Sequence, residues 1–131
     1  MVIHGKSAVS WNTTRRSRSG PVTGYAVVAV QDHDATVWHP GGLDIAGLVA
    51  HRARGGSMRD CGQGELLDEE AFWDLDCEIL LPAALESVIT AARAARIRAR
   101  VVLEGAIGPT VPAADEALEA RGVLVVPDVI A

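Results

Sequence analysis

The sequence predicts an α/β fold in which a parallel sheet is joined by crossover helices. Three observations carry this. Short apolar runs recur along the chain at Tyr25–Val30, Cys77–Leu81, Val101–Leu103 and Val123–Val126. These runs are near-continuous and not alternating, which is how strands covered on both faces read. Segments of helical period lie between them, so consecutive strands need crossovers. With 131 residues, 49% of them apolar, the chain can bury one core.

The elements follow in order. Tyr25–Val30 is a strand that stops at Gln31-Asp32-His33-Asp34. Thr36–His39 is a second short extended piece, ended by Pro40-Gly41-Gly42. Asp44 is placed as an N-cap, Ile45, Leu48 and Val49 follow at helical spacing, and Gly55 is placed to stop the helix. Residues 55–64 are turn formers and read as a loop, and Asp68–Trp73 reads as a short helical turn. Cys77–Leu81 is a strand cut by Pro82. Ala83–Ile97 is helical, in two pieces with Thr90 as the second N-cap. Val101–Leu103 is a strand, Pro112–Arg121 a helix ended by Gly122, and Val123–Val126 the last strand. Residues 12–24 have no apolar period and cannot form a crossover helix as written.

Charge and composition exclude several classes. A formal charge of −5 argues against a nucleic-acid partner, which needs a basic face. The arginines 93, 96, 98 and 100 alternate with small residues and read as a solvated helix face. No apolar segment approaches the ~20 residues that span a bilayer, and the N-terminus lacks the regions of a secretion signal, so the expectation is a cytoplasmic protein with no membrane partner. Cys61 and Cys77 make no disulfide framework, and Cys77 reads as a small core residue. The histidines 4, 33, 39 and 51 form no zinc-ligand spacing, so no metal is expected.

In open parallel sheets, ligands bind beyond the carboxyl ends of the strands. Asp32, one such end, is where a dinucleotide site places the acid for the adenine ribose. The Gly-rich turn should precede it by about 20 residues. Gly5-Lys6-Ser7-Ala8-Val9-Ser10 has the frame, but serines stand at the second and third glycine places. Lys6 is the only lysine available to polarise a carbonyl.

Residues 39–51 (HPGGLDIAGLVAH), 75–90 (LDCEILLPAALESVIT) and 98–131 (RARVVLEGAIGPTVPAADEALEARGVLVVPDVIA) together resemble the cofactor domain of glutamate dehydrogenases, within the glutamate, leucine, phenylalanine and valine dehydrogenase superfamily. The resemblance runs from Tyr25 to Ala131. It implies a Rossmann-like domain that binds NAD or NADP in a homo-hexameric enzyme deaminating L-glutamate to 2-oxoglutarate. Carried over by position, Gly5, Ser7 and Ser10 match the pyrophosphate turn, Asp32 the ribose acid, Ala83 and Ala84 the backbone passing the cofactor, and Gly105, Ala106 and Ile107 the nicotinamide loop.

The departures are as informative. The family has asparagine where Ile107 and Ser87 stand, and often threonine where Val111 stands. Residues 1–24 read as a degenerate remnant of the first strand, turn and helix, out of frame or decayed, with residues 25–131 a partial dinucleotide-binding domain. Nucleotide sequence tests the frameshift: no one-base shift restoring a helical pattern would defeat it. The expectation is therefore an incomplete fold with the first crossover helix degenerate and closing helices missing. The resemblance places the catalytic lysine and aspartate in a substrate domain outside these residues, so no catalytic residue is assigned and dinucleotide binding is expected to be impaired. Two alternatives stay open: one chain of a split dehydrogenase, or a non-catalytic NAD-binding or interaction module.

Overall fold

The computed structural model describes residues 8–12, 26–83 and 86–127, with the backbone alone for residues 8–12. The strands are β1 (Ala8–Asn12), β2 (Ala26–Gln31), β3 (Thr36–Trp38), β4 (Glu65–Leu67), β5 (Ile79–Pro82), β6 (Val101–Leu103) and β7 (Leu124–Val126). They form one sheet in the order β4-β3-β2-β1-β5-β6-β7. The helices are α1 (Ile45–Ala53), α2 (Ala91–Ala94) and α3 (Pro112–Ala120), with 3₁₀ turns at Met58–Asp60 and Glu70–Asp74.

The sheet is mixed, which corrects the all-parallel expectation. Among the strands of the described residues, only β5, β6 and β7 pair in parallel. The strand β1 runs antiparallel to both of its neighbours, with Ser10 opposite Ala29 on β2 and Leu80 on β5. The hairpin of β2 and β3 and the further pairing of β4 are antiparallel as well. The physical reason lies in the connections. Parallel neighbours need a crossover of a dozen or more residues, usually a helix. The segment 13–25 has no helical apolar pattern, whereas antiparallel strands need only a turn or loop. The β1–β2 ladder shifts register between Ser10 and Trp11, a bulge that leaves Val28 without an opposite residue.

Two apolar clusters cover opposite faces, as the adjacent residues Leu80 and Leu81 show by joining different ones. One holds Phe72, Trp73, Ile89, Ile97, Val102, Ala114 and Leu118 beneath α2 and α3. The other holds Val27, Val30, Val37, Leu48 and Met58 beneath α1. Cys77 is buried in the first, as expected.

The end signals of α1 act as read. Asp44 accepts a hydrogen bond from the Gly47 amide at 3.1 Å, and Gly55 takes φ +81° past the last turn. The helix α3 begins at Pro112 with Val111 as its N-cap, and no side chain caps it. Two elements differ from expectation. Of the two helical pieces expected over 83–97, the second forms as the single turn α2 capped by Thr90, while among the described residues the chain before it is drawn against residues 108–111. Glu65–Leu67, read as part of no element, pairs with β3 as an edge strand.

Candidate functional site

The carboxyl ends of β2, β5, β6 and β7 point the same way, so their following loops share one edge of the sheet. At the end of β2, Asp32 is buried, with 8% of its surface exposed. Its Oδ1 accepts hydrogen bonds from the His33 amide at 2.7 Å and lies 2.9 Å from His33 Nδ1. Its Oδ2 lies 2.9 Å from Nη2 of Arg52, on the last turn of α1. Both oxygens are thus engaged within the protein.

Asp34 completes this turn. Its Oδ2 accepts the Ser57 hydroxyl at 2.6 Å and the Met58 amide at 3.1 Å, with Arg52 Nη1 at 3.6 Å. Burial pushes the Asp34 carboxyl up, but these donors and the Arg52 charge outweigh it and hold it below its ordinary value. Among the described residues, the buried Asp34 Oδ1 has no hydrogen-bond partner. Asp32, His33 and Asp34 stand close enough together to share a cation, but among the described residues this is an acidic turn already occupied by Arg52.

The loops after β5 and β6 are zipped together. Ser87 donates its amide to the Gly108 carbonyl at 2.9 Å, Ile89 to Pro109 at 2.8 Å, and Val111 to Ile89 at 3.1 Å. Ser87 does this at φ +56°, a left-handed conformation that asparagine or glycine adopts more readily. The buried Glu104 closes the β6 loop by accepting the Thr110 hydroxyl at 2.7 Å. The amides of Gly105 and Ala106 both donate to the Pro82 carbonyl, at 3.0 and 3.1 Å. A Cβ on Gly105 would lie 3.3 Å from the Ala83 Cβ, so the two loops touch through glycine. Ile107 stands out from the loop tip at 84% exposure.

A family model described as glutamate/leucine/phenylalanine/valine dehydrogenase matches residues 1–131. The chain belongs to this family.

Glutamate dehydrogenase of Thermotoga maritima is 45% identical over 108 residues, which is 82% of this chain and 26% of that enzyme. The NAD-specific glutamate dehydrogenase of Staphylococcus aureus is 40% identical over the same 82%, again 26% of the enzyme. The hetero-hexameric glutamate dehydrogenase of Thermus thermophilus, solved with leucine bound, superposes with a TM-score of 0.68 at 35% identity, covering 79% of this chain and 24% of that one. The chain therefore spans about a quarter of the length of the relatives it matches. Among the described residues, no helix is long and apolar enough to cross a membrane.

A dinucleotide held as the family fold implies makes three demands: a free acid after β2, amides at a helix start after the first strand, and open backbone after β5 and β6. These residues do not fit it in that manner. The acid Asp32 is spent on Arg52 and His33. Ser10 lies inside β1 and not at a turn. Because β1 is reversed, its carboxyl end at Asn12 faces Ala26, at the opposite edge of the sheet from Asp32. Five strand residues span roughly 17 Å. The amides after β6 are turned inward to Pro82. Gly5, Ser7 and Ala84 lie outside the described residues.

The structure thus brings Ala83, Gly105, Ala106 and Ile107 to one edge with Asp32. Sequence reasoning missed Arg52, Ser57 and Thr110, which engage the acids there. Only the helical period, which carries Arg52 back over the end of β2, could have hinted at the first.

Proposed function

We propose that residues 25–131 are a portion of a dinucleotide-binding domain of the glutamate dehydrogenase type, that residues 1–24 are a degenerate remnant of its first strand and turn, and that the chain binds NAD or NADP poorly and does not by itself deaminate an amino acid. The observation that carries this reading is the direction of β1. A reversed first strand carries its carboxyl end, after which the family fold has the pyrophosphate turn, to the opposite edge of the sheet from Asp32. The engagement of Asp32 by Arg52 supports it independently.

Calorimetric titration of NADH into the full chain, with glutamate-driven NAD reduction followed in parallel, tests the reading. No saturable heat below millimolar NADH and no turnover are expected. A micromolar Kd, or turnover, would overturn it.

A second reading has one specific support. The Thermus enzyme is a hetero-hexamer, so its assembly joins unlike chains. In this reading the chain is a regulatory or structural subunit beside a complete dehydrogenase. Co-purification with a full-length dehydrogenase of the same cell would favour it.

A further inference from the structure

The opposite edge of the sheet has a different character. Here β5, β6 and β7 begin, with Ile79, Val101 and Leu124 in register. A cleft of about 640 Å³ opens between these starts and the end of α3, a size within the usual range of small-molecule sites. Its rim carries Arg98, Arg100 and Arg121, with Glu78 as the single carboxylate among the lining residues. Its apolar floor includes the half-buried Ile79, Val101 and Val123.

The arginines here are of a different kind from the others that face acids. Arg52 contacts Asp32 and Asp34, Arg93 contacts Glu69 and Glu70, and Arg96 contacts Glu70 and Asp74. Among the described residues, Arg98, Arg100 and Arg121 have no ion pair, although Arg121 donates to the Ala94 carbonyl. Arg98 and Arg100 are not on a helix, which corrects the reading of the whole arginine cluster as a helix face. They flank the buried Ala99, so both are exposed while the residue between them anchors the segment. The local charge is the reverse of that at the carboxyl edge, where Asp32, Asp34 and Glu104 gather.

We infer that this cleft is an anion site whose ligand is a phosphate monoester of an apolar or ring-bearing alcohol. Guanidinium forks match phosphate oxygens two at a time, which gives the anion its orientation. The apolar floor beside the arginines supplies contact area that a bare inorganic ion cannot use. The cleft is separate from the edge where the family chemistry sits, so the inference stands whether or not the chain binds NADH.

Phenyl phosphate is the probe, with inorganic phosphate as the comparison. Titrated into the full chain, phenyl phosphate is expected to saturate below about 1 mM and to move the amide resonances of residues 97–101 and 121–123. Arg98→Ala with Arg100→Ala should weaken it at least tenfold, while Arg59→Ala, which removes an exposed arginine elsewhere, should leave the Kd within twofold. No saturable binding, shifts confined to other residues, equal weakening by Arg59→Ala, or equal affinity for inorganic phosphate would each overturn the inference. The resonance shifts are read on the unaltered protein, so the test survives a variant that does not fold.

Discussion

Ser10 lies opposite Ala29 in an antiparallel ladder, at the place where the family resemblance puts the last glycine of a phosphate turn. That one pairing separates the two halves of the molecule. On the far side of β1, the strands β5, β6 and β7 are parallel and joined by helices, as the family fold requires. On the near side, β2, β3 and β4 form an antiparallel meander capped by α1.

Arg52 holds the buried Asp32 in place. Its replacement by alanine leaves a carboxylate with 3% side-chain exposure and only His33 as counter-group. Breaking a buried pair costs ~3–5 kcal/mol, and because Arg52 is itself about a third exposed the lower end applies, roughly 2–3 kcal/mol after screening. The urea midpoint of Arg52→Ala should fall accordingly. A change under ~0.5 kcal/mol, the usual size of a surface effect, would show that the pair does not hold the turn.

The loop after β6 depends on one hydroxyl. Thr110→Val keeps the shape of the side chain and removes the donor to Glu104. Leaving a buried carboxylate short of a donor costs ~1–3 kcal/mol. The loss should appear as faster amide exchange across residues 104–111 before any change in the core strands. Unaltered exchange there would mean the loop is held by its backbone bonds to residues 82, 87 and 89 without help from the hydroxyl.

These two pairs show how far the sequence could be read. Most strand and helix positions from Ala26 to Val126, β4 and the first part of 83–97 excepted, were legible because period and punctuation are local: Asp44, Gly55, Thr90, Pro112 and Gly122 each act at the element they bound. The direction of β1 was not legible, because direction is set by what connects two strands and the segment 13–25 supplies no pattern to fix it. The partners of Asp32 and Glu104 were hidden for the same reason. Arg52 lies 20 residues from Asp32, a distance that only the packing of α1 onto the sheet closes.

The helix α3 starts without a side-chain cap. Val111→Thr supplies an acceptor for the free amides of the first turn, and the change should stabilise the protein by about 1 kcal/mol. Thermal unfolding measures it. A fall in Tm would mean that the partly buried Val111 contributes more through its contacts with the apolar core than a cap can replace.

Acid should unfold the chain through Asp34 and Glu70. Burial raises the Asp34 carboxyl, and its hydrogen bonds and Arg52 more than reverse this. Glu70 is lowered first by its hydrogen bond from Arg93, against a smaller burial effect, and further by the charges of Arg93 and Arg96. Both groups bind protons less readily when folded, so their stabilisation is complete above the ordinary carboxylate range and lost as pH falls below ~4. The stability difference between Asp34→Asn and the unaltered chain should therefore shrink between pH 5 and pH 3. A constant difference across that window would remove Asp34 from the account.

The reversed β1 is tested most directly by cross-strand proton contacts in the nuclear Overhauser spectrum of the full chain. Alternate facing pairs of antiparallel strands bring their Cα atoms to about 4.5 Å, close enough for a strong Hα–Hα contact. The account predicts such a contact in the register Ala8–Gln31, Val9–Val30, Ser10–Ala29, and a matching one on the other side between β1 and residues 79–82. Contacts that instead place Ala8 beside Ala26 and Asn12 beside Gln31 would show a parallel first strand and contradict it.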